Sequence, residues 1–229
     1  MNQKKNNWRT IFIWDIHGCY DEFMLLLEKL EISKEDNIYL VGDLTNKWPK
    51  SIKILKYLLF NNSQFKSVLW NNEYYILQYL QDKLEENHPN YKETKVLCKR
   101  LTKRPELVWY VRNIPSYIEE KYFILVHAWI LEWNYKNQPK ETLSWADKRI
   151  KNDWFLNYKW KKKIIYWHNS SWWIRIKNNT IWIDSWCVFW GYLSAYILET
   201  WEIIQQKAFK IYEKVWYNIW KDLFNTKNF

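Results

Sequence analysis

The sequence predicts an α/β fold. Short apolar runs of strand length recur at residues 9–13, 37–41 and 65–69, and the segments between them repeat apolar residues at helical spacing. Each run also ends in a polar residue, Asp15, Asp43 or Asn71, where α/β proteins place their sites. Alternation at this spacing implies βαβ units and a largely parallel sheet.

Residues 9–13 form the first strand. Residues 20–30 form a helix with Phe23, Leu26, Leu27 and Leu30 on one face and Asp21 and Glu22 in its first turn. Residues 37–41 are the second strand, ending in Gly42-Asp43. Residues 49–60 are a helix opened by Pro49, with Ile52, Leu55, Leu58 and Leu59 inward. The third strand, 65–69, leads into Trp70-Asn71-Asn72-Glu73. Residues 74–114 are helical, charged and rich in long side chains, and they interrupt the strand rhythm; a helical cap over a site is expected there. Residues 115–119 and 122–126 are strands, the second ending in His127. Residues 142–157 are helical, and 163–166 is a strand before Trp167-His168. Residues 180–183, 192–198 and 203–211 alternate and are expected to form a closing β-meander. The expected organisation is one domain over 8–211 and a helical tail over 212–229.

The 229-residue chain carries a formal charge of +10, which suits an anionic partner, although many of its lysines read as solvated helix faces. The three cysteines lack metal-type or disulfide-type spacing, and no run is apolar enough to cross a membrane, so a reduced, cytoplasmic chain is expected. No basic stripe or strand-borne aromatic platform points to nucleic acid.

The composition is anomalous: three glycines stand against nineteen tryptophans. Ordinary glycine usage of about 7% would place roughly sixteen in such a chain. Several tryptophans occupy turn positions, such as Trp48 before Pro49 and Trp201 in Glu199-Thr200-Trp201-Glu202. Some genetic codes read UGA as glycine and others as tryptophan. Most of these positions are therefore expected to be glycine in the natively expressed protein, with Trp145 in a helical context as an exception.

The strand-end residues Asp15, His17, Asp43, Asn71, His127 and His168 include three of the four histidines. Asp15 and His17, at i and i+2 of a strand end, point the same way. Two Asp, one Asn and three His form a mixed N/O donor set for two divalent ions, manganese, iron or zinc rather than all-oxygen magnesium or calcium. Such a site acidifies water and clamps phosphate oxygens. The fourth histidine, His88, reads as a solvated surface residue.

These pieces stand in order as Trp14-Asp15-Ile16-His17-Gly18, Gly42-Asp43-Leu44-Thr45-Asn46-Lys47-Trp48-Pro49, Trp70-Asn71-Asn72-Glu73, His127-Ala128-Trp129 and Trp167-His168-Asn169, with Ile183-Asp184-Ser185-Trp186 through Gly191 following. The pattern resembles the calcineurin-like metallophosphoesterases of the protein-phosphatase and diadenosine-tetraphosphatase group, over roughly residues 9–211. Tryptophan occupies the family's glycine at positions 14, 48, 70, 129, 167, 186 and 190, in keeping with the codon reading. The resemblance implies a four-layer α-β-β-α sandwich with a helical cap insertion. It also implies Asp15, His17, Asp43, Asn71, His127 and His168 as ligands of two metal ions, and a phosphoesterase activity. Two departures bear on substrate. Asn46 and Lys47 stand where the protein phosphatases have aspartate and arginine, as in some diadenosine-tetraphosphatase-like members that lack that aspartate and carry lysine, so Lys47 meets phosphate as a point charge without the bidentate fork. Asn72 replaces the histidine taken to protonate the leaving oxygen, and an amide cannot supply that proton. Asp15, His17, Asp43, Lys47 and Asn72 are thus the candidate catalytic residues, with Asn46, Lys47 and Asn72 against substrate. A nucleotide phosphate leaves readily without an acid, because its second pKa is about 6, whereas a serine alkoxide does not. A dinucleoside polyphosphate is the expected substrate. A phosphoprotein is the alternative, and a catalytically weakened metal- and phosphate-binding module is the alternative of another class.

Overall fold

The computed structural model describes residues 8–45, 50–128, 130, 135–138, 161–166, 175–177, 179–182, 185 and 187–212. Among the described residues, ten strands form two five-stranded sheets, in the orders β10-β9-β1-β2-β3 and β4-β5-β6-β8-β7. In the first, β1 (Thr10–Ile13), β2 (Asn37–Leu40) and β3 (Phe65–Ser67) pair in parallel. There β9 (Tyr192–Ile197) runs antiparallel to β1, and β10 (Ile203–Lys207) antiparallel to β9. In the second, β5 (Phe123–Val126), β6 (Lys163–Tyr166) and β8 (Thr180–Trp182) are parallel. The flanking β4 (Tyr117–Glu119) and β7 (Arg175–Lys177) are antiparallel to β5 and β8.

Both faces of β1 are buried, and strict alternation divides its side chains. Ile11 and Ile13 face a cluster shared with the helices, while Phe12 and Trp14 face the second sheet, where Phe123, Leu125, Ile165 and Ile181 meet them. Phe12 and Phe123 pack edge to face with centroids 4.9 Å apart. Helices α1 (Tyr20–Lys29) and α2 (Ser51–Phe60) contribute Phe23, Leu26, Leu27, Leu55 and Leu58 to the first cluster.

Two expectations are corrected. Among the described residues, half of the strand pairings are antiparallel, so the sheets are mixed. The closing strands are not one meander: β8 joins the second sheet, while β9 and β10 join the first. Alternation reports which face of a strand is apolar but not which neighbour it pairs with. The 74–114 segment is three helices, α3 (Asn71–Tyr79), α4 (Tyr91–Leu101) and α5 (Pro105–Arg112), separated by turns near Pro89 and Pro105. Their buried residues Ile76, Leu97, Leu101, Leu107 and Val111 join the cluster of α1 and α2. The helix expected at 142–157 and the tail beyond 212 lie outside the described residues. No helix among the described residues is long and apolar enough to cross a membrane.

Candidate metal centre

The C-terminal ends of β1, β2, β3 and β5 converge at one end of the sandwich. Backbone bonds lock the first two turns together: His17 N donates to Asp43 O at 2.6 Å and Gly18 N to Leu44 O at 3.0 Å. Three residues of these turns adopt left-handed backbone conformations, Asp15 (φ 45°), His17 (φ 43°) and Asp43 (φ 46°). For non-glycine residues this costs about 1–3 kcal/mol each and persists where surrounding contacts over-determine the geometry. Gly42 (φ +111°) is glycine by necessity, since a Cβ there would meet Trp70 Cβ at 2.9 Å and His127 Nδ1 at 3.1 Å.

Asp43 is held at both carboxylate oxygens. His17 Nε2 stands 2.5 Å from Oδ2, and Asn72 Nδ2 donates to Oδ1 at 2.5 Å. Asn72 reaches it from the first turn of α3, immediately after Asn71. His127, fully buried after β5, has Nδ1 2.9 Å from the Val41 carbonyl oxygen. That oxygen only accepts, so Nδ1 carries the proton and Nε2 is the nitrogen able to bind a metal. Asp15, His17, Asp43 and Asn72 are each at most 6% exposed.

The site residues foreseen in the sequence are thus divided. Asp15, His17, Asp43, Asn71, Asn72 and His127 come to one end of the two sheets. Asn46, Lys47 and His168 lie outside the described residues. As a donor set, two carboxylates, two imidazoles and an amide fit a divalent ion. Among the described residues, however, no three His, Cys, Asp or Glu side chains stand close enough to hold one. An indole stands close to both imidazoles: the Trp70 ring lies 3.7 Å from the His127 ring and 5.6 Å from the His17 ring, centroid to centroid.

Other tryptophans also sit where glycine would fit better. Trp190 (φ 84°) and Trp201 (φ 66°) adopt the left-handed conformation that bulky residues avoid. Trp14 is 1% exposed, and its indole N–H has no acceptor among the described residues. Trp70 itself has an extended backbone (φ −125°) open to any residue, so its misfit is one of volume.

The sequence reading passed over Glu73 and Thr45. Glu73 Oε1 accepts from Thr45 N at 3.1 Å and from Thr45 Oγ1 at 2.7 Å, and both residues are fully buried. Burial pushes the Glu73 carboxyl up to about 7, against the opposing pull of the Thr45 bonds. Both residues stood inside the quoted motifs, but nothing local pairs them. His88 is half-buried against Tyr75 (4.4 Å) rather than solvated. Tyr75 is itself 3% exposed, so its ring packs inward.

Comparison with known proteins identifies relatives of the chain. A symmetrical bis(5'-nucleosyl)-tetraphosphatase from Buchnera aphidicola subsp. Schizaphis graminum is 32% identical over 164 residues, covering 69% of this chain and 59% of that protein. Its counterpart from Salmonella paratyphi C is 32% identical over 129 residues, covering 55% of this chain and 45% of that protein. The chain therefore spans about half the length of these curated relatives. Among solved structures, a protein provisionally described as a diadenosine tetraphosphatase superposes with a TM-score of 0.65 at 19% identity, covering 91% of this chain and 97% of that one. A Saccharomyces cerevisiae serine/threonine phosphatase gives 0.62 at 11% identity, covering 90% and 81%. At those identities the likeness concerns the fold alone. The model of the calcineurin-like phosphoesterases matches residues 9–222, and the chain belongs to that family.

Proposed function

We propose that the chain is a dinuclear metal-dependent phosphoesterase that cleaves a phosphoanhydride, with a dinucleoside polyphosphate such as diadenosine tetraphosphate as substrate. The observation that carries this reading is the pairing of Asn72 with Asp43, where an amide is spent on orienting a carboxylate. Asp15, His17, Asp43, Asn71, His127 and His168 are the proposed metal ligands. When bound, divalent ions supply charge neutralisation on phosphate oxygens and an acidified water. The chain's own residues then orient and bind. His127, its Nδ1–H committed to Val41, turns Nε2 inward. Asn72 holds Asp43 in place. Lys47 supplies a positive charge to a phosphate.

No group described at this site replaces the missing general acid. A leaving nucleotide phosphate does not need one, which favours the anhydride over a phosphoserine ester. The names of the relatives support the same substrate class, and the protein phosphatase reading is second. A single domain over 8–211, with its helical insertion beside the site, is part of this proposal. A reduced cytoplasmic setting is too, in keeping with free thiols at Cys19, Cys98 and Cys187.

The test compares turnover of diadenosine tetraphosphate and a phosphoserine peptide with manganese, before and after chelation. Anhydride cleavage that chelation abolishes is the expected result. Faster peptide turnover overturns the substrate assignment, and activity indifferent to chelation overturns the metal site.

A further inference from the structure

Glu73 occupies the third position of α3. A glutamate there ordinarily reaches back to the N–H of the residue that caps its own helix. Here both hydrogen bonds at its Oε1 come from Thr45, two residues beyond Asp43. One carboxylate oxygen thereby joins the helix start that carries Asn71 and Asn72 to the turn that carries Asp43. That turn is strained: Asp43 sits at φ 46°. On one side it is held by the backbone bonds from His17 and Gly18. Glu73 and Thr45, both 0% exposed, hold it on the other. Water cannot substitute for such buried bonds, so losing one lets the turn relax.

We propose that Glu73 and Thr45 are positioning residues: their buried hydrogen bond fixes the Asp43 carboxylate relative to Asn71 and Asn72, and so sets the affinity for the divalent ion. This rests on the reading of the cluster as a metal site. Neither residue touches substrate or metal; both act through the backbone of the Asp43 turn. The clamp therefore influences ion affinity and turnover more than substrate affinity.

The test uses the 229-residue chain, with and without Trp70→Gly, and three further variants. Thr45→Val preserves volume and removes only the hydroxyl. Thr45→Ser keeps the hydroxyl. Glu73→Leu removes the acceptor from both bonds, but it strands a buried amide and risks misfolding, so Thr45→Val carries the decision. The readouts are the half-saturating manganese concentration in a thermal-shift titration, the melting temperature in chelator, and the split between kcat and KM. Thr45→Val is expected to raise the half-saturating manganese concentration at least tenfold and to lower kcat with KM within twofold. Thr45→Ser is expected to stay within twofold of the parent on every readout. If Thr45→Val binds manganese as the parent does, the clamp is refuted while the metal site stands. Equal losses of melting temperature by Val and Ser, with manganese affinity retained, refute it in favour of plain core packing. If no parent binds manganese, the metal-site reading fails and the proposal falls with it.

Discussion

Replacing Trp70 by glycine should open the metal centre. The indole is 3% exposed, and its ring stands 5.6 Å from that of His17 and 3.7 Å from that of His127. For both imidazoles to turn toward bound ions, the indole must leave. Losing its ring contact costs about 0.5–1.5 kcal/mol. Returning a large buried aromatic to water costs about 1.5–3 kcal/mol. Together, roughly 2–4.5 kcal/mol opposes ion binding in the tryptophan-bearing chain, and glycine removes that opposition. At about 1.4 kcal/mol per tenfold, Trp70→Gly should tighten manganese binding by roughly 30- to 2,000-fold. Isothermal titration of chelator-treated protein measures this directly. Trp109→Gly, at an exposed position on α5, is the control and should leave the affinity unchanged. If Trp70→Gly lowers stability by the ~3–5 kcal/mol of a core aromatic truncation and gains no affinity, the reasoning fails. Trp70 would then be an ordinary packing residue.

Further outcomes follow from other parts of the structure. Asn72→His should restore a proton donor, raising phosphoserine-peptide turnover by about 10²-fold or more while changing diadenosine tetraphosphate turnover far less; a peptide rate that does not move argues against the general-acid explanation. Trp201→Gly relieves a left-handed backbone worth about 1–2 kcal/mol and loses a Lys163 cation–π contact worth ~0.5–1 kcal/mol, so the melting temperature should hold or rise slightly; a clear fall contradicts the strain argument. Mass spectrometry of the natively expressed protein should find glycine at positions 14, 70 and 129, and tryptophan there ends the codon explanation. Arg9 binds Asp36 through its backbone amide (3.0 Å) and guanidinium (3.1 and 2.6 Å). Burial alone would raise the Asp36 pKa, but the Arg9 and Ser33 bonds outweigh it and leave the carboxyl lowered from 3.8. A folded pKa below the unfolded one stabilises fully above about pH 4 and loses that stability as pH falls through the folded value. Arg9→Ala, leaving Asp36 buried without its guanidinium, should cost about 3 kcal/mol at neutral pH and flatten the acid limb of the stability curve; an unchanged acid limb assigns acid sensitivity elsewhere.

The sequence by itself determined the order of the strand ends and the chemistry they carry. Asp15, His17, Asp43, Asn71 and His127 each follow an apolar run of strand length, and local periodicity is enough to read that. It also determined that Trp14 and Trp70 stand at turns where small residues belong. Only the tertiary structure decided that β8 and β9 enter different sheets, because pairing partners are distant in sequence and alternation is blind to them. Only the fold revealed that Asp43 is gripped by His17 and Asn72, and that Glu73 reaches across 28 positions to Thr45. The same holds for Trp70, whose helix-capping backbone is ordinary: its conflict with His17 and His127 is one of shared volume, which exists only once the ends of β1 and β3 in one sheet and of β5 in the other are brought together.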